Sequence, residues 1–247
     1  MESIARSNSR PSRLVLFDID GTLLSSAGVA SGVFAEALAE AVGRPVAMDG
    51  YSMAGRTDRQ IARELLTRAG VAPDMLDRLI DRVLDRYLER FAPVLAASTR
   101  PRLFPGVRAL VEHLAADPEV LLGLLTGNLE RGADIKLTHF GIRHHFKLGA
   151  YGSDAEERRA LVGIAAARAE THSGRRFSGR DVVIIGDTPL DIDCGKAAGA
   201  ITIAVATGPY AVAELAAHDP DALFSDLADM TPVLTAILGA PAGEETR

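Results

Sequence analysis

Cysteine, lysine and long apolar runs are scarce in this chain of 247 residues. Cys194 is the single cysteine, so a disulfide within the chain is excluded. No run reaches the roughly 18–20 apolar residues that a transmembrane helix requires. The arginine- and serine-rich segment 1–13 lacks the apolar stretch of a secretory signal. We therefore expect a cytoplasmic protein in a reducing setting, with no membrane partner.

Basic residues are outnumbered, because 27 Lys and Arg face 33 Asp and Glu, for a net charge of -6. Nucleic-acid binding usually needs a basic face, so this balance argues against that partner. A small anionic substrate stays open, because a local site can be positive in an acidic protein. The apolar fraction of 47% is enough to bury a sizeable core.

Short apolar runs recur along the chain and end at glycine or polar residues. The clearest are 14–17, 120–125, 182–185 and 201–206, and the weaker ones are 146–150 and 222–224. Continuous apolar runs indicate strands buried on both faces, and helical patterns separate the later ones. The sequence therefore predicts an α/β fold with a Rossmann-like, doubly wound parallel sheet as its core.

One stretch, from 28 to 96, interrupts this alternation with helix after helix. Thr57-Asp58-Arg59-Gln60 matches a capping box, and Gly70 is a helix stop. Apolar residues between Met75 and Phe91 recur at helical spacing. The predicted organisation is a catalytic core (13–27 and 97–238), an inserted all-helical cap domain (28–96) and flexible tails (1–12 and 239–247).

Two carboxylates follow the first predicted strand, in Asp18-Ile19-Asp20-Gly21-Thr22. Residues two apart point to one side, and carboxylates so close repel unless a cation lies between them. Mg²⁺ suits such ligands and often bridges to phosphate. A carboxylate can also attack phosphorus while a neighbouring acid transfers protons. Taken alone, the pair is better explained as turn or helix-capping aspartates.

Polar residues also follow two later strands, and the carboxyl ends of parallel strands meet at one edge of a sheet. Thr126-Gly127-Asn128 combines a hydroxyl with a glycine that permits close approach, although a plain turn has the same composition. Asp187 and Asp191 add two carboxylates, or they cap the helix that Pro189 would begin. Their convergence with Asp18 favours a shared site.

The three motifs, in this order and spacing, resemble those of the haloacid-dehalogenase-like hydrolase superfamily. The likeness spans roughly 14–208 and is greatest to the phosphoglycolate-phosphatase and β-phosphoglucomutase branch, with the helical insert where that superfamily carries its cap. It implies that Asp18 is the nucleophile and a metal ligand. It implies that Asp20 is the acid/base, with its backbone carbonyl on the metal.

The resemblance also implies roles for the later motifs. Asp187 would be a further Mg²⁺ ligand and Asp191 would support it. The hydroxyl of Thr126 and the backbone of Gly127 and Asn128 would bind the phosphoryl group.

The superfamily's third motif, a lysine often followed by proline, is missing here. The chain has three lysines, of which Lys136 falls too early, on the helix after Thr126, and Lys147 begins the third core strand. We expect an arginine to replace the lysine and to hold the phosphoryl group through its fork of donors. Alignment on the start of the next helix favours Arg158 over Arg159.

Two features of the sequence argue against two other branches of this superfamily, the dehalogenases and the phosphonate-cleaving enzymes. Dehalogenases lack an acid at the position of Asp20, and phosphonate-cleaving relatives need a cap lysine, which residues 29–96 do not contain. Arg56, at a turn entering a cap helix, is predicted to meet a carboxylate or a second phosphate of the substrate; a solvated arginine is the alternative.

The sequence thus predicts a hydrolase, a Mg²⁺-dependent phosphomonoester phosphatase. Its substrate would be a small phosphorylated metabolite, with phosphoglycolate as the first candidate, and an aspartyl phosphate would be the intermediate. One alternative is a sugar phosphomutase that returns the phosphoryl group to a sugar. Another is a non-catalytic binding protein on the same fold.

Overall fold

The computed structural model describes residues 11–239. The predicted tails, 1–12 and 239–247, therefore lie almost wholly outside the described residues. At their edge, Ser12 donates its backbone N–H to the carbonyl of Glu119 at 2.8 Å. None of the helices within 11–239 combines the length and hydropathy needed to cross a bilayer.

The predicted strands are present, and they assemble into the expected sheet. The strands are β1 (Arg13–Phe17), β2 (Leu24–Ser25), β3 (Arg102–Leu103), β4 (Val120–Leu125), β5 (Leu148–Ala150), β6 (Val182–Gly186), β7 (Ile201–Val205) and β8 (Ala222–Phe224). Among the described residues, six of these form one parallel sheet in the order β5-β4-β1-β6-β7-β8. The predicted α/β, doubly wound core is confirmed.

The register of the central strands brings their carboxyl ends to one level. Phe17 of β1 lies opposite Leu124 of β4 and opposite Ile185 of β6. The segments that follow these strands therefore emerge side by side, at the point where the strand order reverses and where such sheets bind ligands. Those segments begin at Asp18, Thr126 and Asp187.

Helices cover both faces of the sheet. In chain order, the helices of the described residues are α1 (Val29–Val42), α2 (Asp58–Arg68), α3 (Pro73–Ala97), α4 (Val107–Ala116), α5 (Glu130–His139), α6 (Arg158–Ser173), α7 (Pro189–Ala197), α8 (Val212–Ala216) and α9 (Met230–Leu238). Val15 and Phe17 of β1 share a core with α4, α5 and α9, while Leu14 and Leu16 share one with α6 and α7. Because successive strand residues face opposite sides, both faces need apolar residues, which explains the continuous apolar run.

Helices α1, α2 and α3, called the cap below, lie between β2 and β3 in the chain and have a hydrophobic core of their own. The ring of Tyr87 lies between those of Phe34 and Phe91, with centroids 5.3 and 5.1 Å away. Thr57 is the N-cap of α2, and its hydroxyl accepts the N–H of Gln60 at 3.2 Å, as the capping box predicts. The division at residues 28 and 96 into two domains stays a prediction.

The two connections between core and cap pair with each other. Leu24 and Ser25 of β2 lie opposite Leu103 and Arg102 of β3 in an antiparallel ladder. No pattern in the sequence predicts this pairing, because two-residue strands are too short to show periodicity.

The cap is docked on the carboxyl edge of the sheet by hydrogen bonds at the start of α2. Asp58 donates its backbone N–H to the carbonyl of Gly127 at 2.8 Å, and its Oδ2 accepts the N–H of Leu129 at 2.8 Å. The hydroxyl of Thr57 donates to the carbonyl of Glu156 at 2.8 Å. The space between cap and sheet is therefore closed on this side.

Candidate active site

Buried carboxylates converge where β1 and β6 end. Among the described residues, Asp18, Asp187 and Asp191 each place a carboxylate oxygen within 4.8 Å of the others, and all are buried. Asp18 follows β1, Asp187 follows β6, and Asp191 lies in the first turn of α7. Residues that are 173 positions apart in the chain thus come together.

Burial and mutual repulsion change how these carboxylates ionise. Burial raises the pKa of Asp18 to about 6, Arg158 opposes the rise, and the charges of Asp191 and Asp20 add to it. Burial also raises the pKa of Asp187 well above its usual range, with further contributions from Asp18 and Asp191. Negative charge is therefore costly here unless a cation shares the site.

The donor set fits a hard divalent cation. Clustered carboxylate oxygens are the ligands that Mg²⁺ prefers, and a cation among them would relieve the repulsion just described. Asp187 is held in place by Thr22, whose hydroxyl donates to Oδ1 at 3.0 Å. Gly21 has φ +88°, and a Cβ on either Gly21 or Gly208 would collide with the Asp187 carboxylate. Gly208 was not singled out from the sequence.

Asp191 caps a helix and also belongs to the carboxylate cluster. Its Oδ2 accepts the N–H of Thr188 at 3.1 Å and the hydroxyl of Thr188 at 2.7 Å, in a capping box that begins α7. Its Oδ1 accepts from Arg158 at 2.5 Å. The helix-capping reading of Asp191 is therefore correct, and the same side chain also belongs to the carboxylate cluster.

Arg158 is the cation that reaches this cluster. It is the first residue of α6, is buried, and places Nη2 3.0 Å from Oδ1 of Asp18. Nη2 also donates to the carbonyl of Leu125 at 3.2 Å. Arg159 is exposed. Of the two arginines considered from the sequence, the structure brings Arg158 into the site and leaves Arg159 on the surface.

The segment after β4 lies beside Asp20. Asn128 donates through Nδ2 to Oδ2 of Asp20 at 2.8 Å and to the hydroxyl of Thr126 at 2.8 Å. Gly127 lacks a Cβ for a steric reason, because that atom would collide with the carbonyl of Arg56 in the cap. Gly127 and Asn128 therefore border the site, Thr126 is buried next to them, and Gly127 forms part of the contact with the cap.

Lys136 lies in the site, although the sequence does not predict it as a site residue. Its ammonium donates to Oδ2 of Asp20 at 2.5 Å and to Oδ1 of Asn128 at 2.5 Å, and its side chain is 3% exposed. From the sequence, Lys136 is considered only as a candidate for the missing third-motif lysine, and Arg158 stays the predicted replacement. A signal was present: Lys136 falls on the buried face of α5, with Ala133 and Leu137.

Arg56 borders the same cavity, but its side chain is engaged within the cap. Nη1 donates to the carbonyl of Ser52 at 2.6 Å, Nε lies 3.5 Å from Oε2 of Glu64, and the guanidinium lies 5.3 Å from the ring centre of Tyr51. Its predicted role in substrate selection stays a prediction.

A cavity of about 250 Å³ opens between the carboxylates and the cap. This is below the roughly 300–1,000 Å³ of drug-sized ligand sites, so the cavity fits a small metabolite. Apolar cap residues and four polar ones, Ser31, Arg56, Asp58 and Tyr87, contribute to its wall. Neither Asp58 nor Tyr87 was predicted as a site residue, because their positions at a helix start and in an apolar stripe explained them.

Comparison with known proteins identifies a family model for this chain. The model described as haloacid dehalogenase-like hydrolase matches residues 15–205. No curated protein sequence matches the chain at a significant level.

Solved structures share the fold over most of the chain. A predicted phosphoglycolate phosphatase from Haemophilus somnus is 20% identical, with a TM-score of 0.66 over 91% of this chain and 98% of that one. A hydrolase from Pseudomonas syringae is 19% identical, with a TM-score of 0.66 over 92% and 99%. A candidate β-phosphoglucomutase from Bacteroides vulgatus is 19% identical, with a TM-score of 0.63 over 93% and 90%. At these identities the likeness establishes the fold.

Proposed function

Because the chain belongs to the haloacid dehalogenase-like hydrolase family, we propose that it is a Mg²⁺-dependent phosphatase of small phosphorylated metabolites. One observation carries the proposal. Asp18 is buried against Arg158 at 3.0 Å, while Asp20, two residues on, is held by Lys136 and Asn128. One carboxylate is thus set to attack, and a second is held beside it to transfer a proton.

Asp18 is the proposed nucleophile. Arg158 holds its Oδ1, so we assign the attack to Oδ2. A bond forms between Oδ2 and phosphorus as the bond from phosphorus to the leaving oxygen breaks, which gives an aspartyl phosphate. Asp20 donates its proton to the leaving oxygen, and the alcohol departs neutral.

The same two residues complete the second step. Asp20, now a carboxylate, accepts a proton from water as the water oxygen attacks phosphorus. The bond between phosphorus and Asp18 breaks, phosphate leaves, and both residues return to their starting states. The docked cap supports this order of events, because it encloses the reacting atoms and limits the access of bulk water to them.

The phosphoryl oxygens would be held by donors and cations at the carboxyl edge. Thr126, the backbone of Gly127 and Asn128, and Arg158 are the proposed protein partners. Asp18, Asp187 and the backbone carbonyl of Asp20 would hold Mg²⁺, with Asp191 in support. When bound, Mg²⁺ would neutralise phosphoryl charge that the carboxylates alone would repel.

A panel of phosphorylated metabolites with an aryl phosphate, scored by phosphate release with and without Mg²⁺, tests the proposal. We expect release that requires Mg²⁺ and that falls at least about a thousandfold in Asp18→Asn, as for loss of other nucleophiles. Asp193→Asn is a matched control, because Asp193 pairs with His218 at the surface. Turnover that survives Asp18→Asn, or that ignores Mg²⁺, would contradict the proposal.

A sugar phosphomutase is the second candidate, and the likeness to a candidate β-phosphoglucomutase favours keeping it. The aspartyl phosphate would then pass its phosphoryl group to another hydroxyl of a sugar instead of to water. Conversion of a sugar phosphate to its isomer without free phosphate would establish the mutase and overturn the phosphatase.

A further inference from the structure

The residues that line the cavity offer no surplus positive charge for a second anionic group on the substrate. The described lining residues include four carboxylates, of Asp18, Asp20, Asp58 and Asp187, against three cations, of Arg56, Lys136 and Arg158. A phosphoryl group and Mg²⁺ add charges of opposite sign that nearly cancel. With Asp20 protonated as the proposed acid, three carboxylates balance three cations, so a further anionic group on the substrate would find no net positive charge to offset the cost of its burial.

Each cation of the wall also has a partner already. Arg158 lies against Asp18 and Asp191, and Lys136 lies against Asp20. The third, Arg56, faces Glu64 at 3.5 Å and donates to a backbone carbonyl. Although Nε of Arg56 and Nε of Arg158 donate no hydrogen bond among the described residues, the charge of each cation is already offset, so a substrate carboxylate would compete with these groups for it.

The cap wall instead offers groups that suit a hydroxyl. Oδ2 of Asp58 accepts the N–H of Leu129 at 2.8 Å, and among the hydrogen bonds of residues 11–239 its Oδ1 accepts none. Burial, followed by the charges of Asp58 and Asp20, raises the pKa of Tyr87, so its phenol keeps its proton. A hydroxyl can donate to Asp58 and accept from Tyr87, whereas a carboxylate can only accept.

The rest of the cap wall suits a short carbon chain. Phe34, Met53 and Ile61 line the cavity from α1, from the loop before α2 and from α2 itself. With a volume of about 250 Å³, the cavity holds a phosphoryl group and a small hydroxylated skeleton.

We infer that the substrate is a phosphate monoester of a small uncharged polyol, and that Asp58 and Tyr87 select its hydroxyl groups over a carboxylate. The inference rests on the proposed phosphatase function and names the substrate class of that site. It makes phosphoglycolate, whose leaving group carries a carboxylate, a poor substrate.

Matched substrate pairs test this inference on the full chain with Mg²⁺. The pairs are 2-hydroxyethyl phosphate with phosphoglycolate, and glycerol 3-phosphate with 3-phosphoglycerate. Each pair exchanges a hydroxyl-bearing carbon for a carboxylate at nearly equal size. We expect kcat/KM to favour the hydroxyl member at least about tenfold, since sites built around hydrogen bonds discriminate strongly. An aryl phosphate reports activity that does not depend on the inference.

Two variants assign the preference to the named residues. Asp58→Asn removes the charge while its amide oxygen can still accept from Leu129, and Tyr87→Phe removes only the hydroxyl. Both should bring the ratio of kcat/KM within each pair toward one, with thermal melts confirming the fold of each variant.

The outcomes distinguish a failure of the polyol inference from a failure of the proposed phosphatase function. Faster turnover of phosphoglycolate than of 2-hydroxyethyl phosphate, with the aryl phosphate hydrolysed, overturns the polyol inference and leaves the phosphatase standing. An unchanged ratio in both folded variants overturns the roles of Asp58 and Tyr87. Absence of phosphate release from every compound overturns the phosphatase itself.

Discussion

The ammonium of Lys136, on α5, lies 2.5 Å from Oδ2 of Asp20, in the loop after β1. The lysine is buried, whereas the Asp20 side chain is 39% exposed toward the cavity. Lys136 also donates to Asn128, which itself donates to Asp20. The proposed acid/base is therefore fixed by two neighbours on its inner side and is free to meet a leaving group on its outer side.

Loss of the Lys136 charge should slow the chemical step. Lys136→Met keeps the apolar stem but removes both hydrogen bonds of the ammonium, so Asp20 keeps only its contact with Asn128. General acid–base catalysis is worth about 10²–10⁴-fold, and we expect kcat to fall about 10- to 100-fold with a smaller change in KM. Steady-state kinetics measure the split.

Lys196→Met is the control for this variant, because Lys196 pairs with Asp219 at the surface. Its kcat should match that of the parent chain. A Lys136→Met variant with full kcat would show that Asp20 does not depend on Lys136.

Replacement of Arg158 should remove stabilisation of the transferring phosphoryl group. Arg158→Gln keeps a polar side chain but loses the charge beside Asp18 and Asp191. Loss of one preorganised donor typically costs about 10²–10³-fold in kcat, and we expect a fall in kcat/KM of at least that order. Arg159→Gln, on the adjacent exposed position, should behave like the parent. Equal effects of the two changes would reject the assignment of Arg158.

Stabilisation by Mg²⁺ should depend on pH with a defined sign. The folded-state pKa of Asp18, at about 6, lies above its usual 3.8, and burial also raises the pKa of Asp187 well above its usual range. Stability from these groups in the metal-free protein is full below about pH 4 and is lost as the pH rises through 6. Mg²⁺ needs the ionised carboxylates, so it should stabilise weakly at pH 5 and strongly at pH 8.

Thermal melts at pH 5 and pH 8, with and without Mg²⁺, measure this effect. A ligand at 100 times its Kd contributes about 2.7 kcal/mol, and an increase in Tm of several degrees at pH 8 is the expected scale. Asp187→Asn should lose most of it. An equal Mg²⁺ effect at both pH values would argue against binding by the buried carboxylates.

A methyl group on Gly127 should disturb the docking of the cap. Its Cβ would collide with the carbonyl of Arg56, whereas a Cβ on Gly163, in α6, meets open space. Overpacking costs about 1–3 kcal/mol, so Gly127→Ala should lower both Tm and kcat/KM. Gly163→Ala should instead be stabilising by up to about 1 kcal/mol, since alanine is the better helix former. A Gly127→Ala variant with unchanged kinetics would show that this contact does not position the cap.

Much of the core follows from the sequence because its signals are local. Each buried strand is a continuous apolar run, and each run ends at the residues that form the site, so Asp18, Thr126 and Asp187 could be placed at one edge before any coordinates. Arg158 could be preferred over Arg159 because the superfamily's third motif was aligned on the start of the next helix.

The site residues that the sequence did not predict are each explained by an ordinary structural role in their own helix. Asp58 looks like an acid in the first turn of a helix, and Tyr87 looks like one member of an apolar stripe. Lys136 reaches Asp20 only because α5 packs between the sheet and the cap, a tertiary arrangement that spacing in one chain does not encode. The pairing of β2 with β3 is likewise too short to leave a pattern.

The nature of the covalent intermediate tests the central claim most directly. Enzyme quenched during turnover and reduced with borohydride converts an aspartyl phosphate into homoserine, which peptide mass spectrometry locates. The account predicts homoserine in place of Asp18, only when substrate and Mg²⁺ are both present. Unmodified Asp18 during active turnover, or the modification at Asp20 or Asp187 instead, would contradict it.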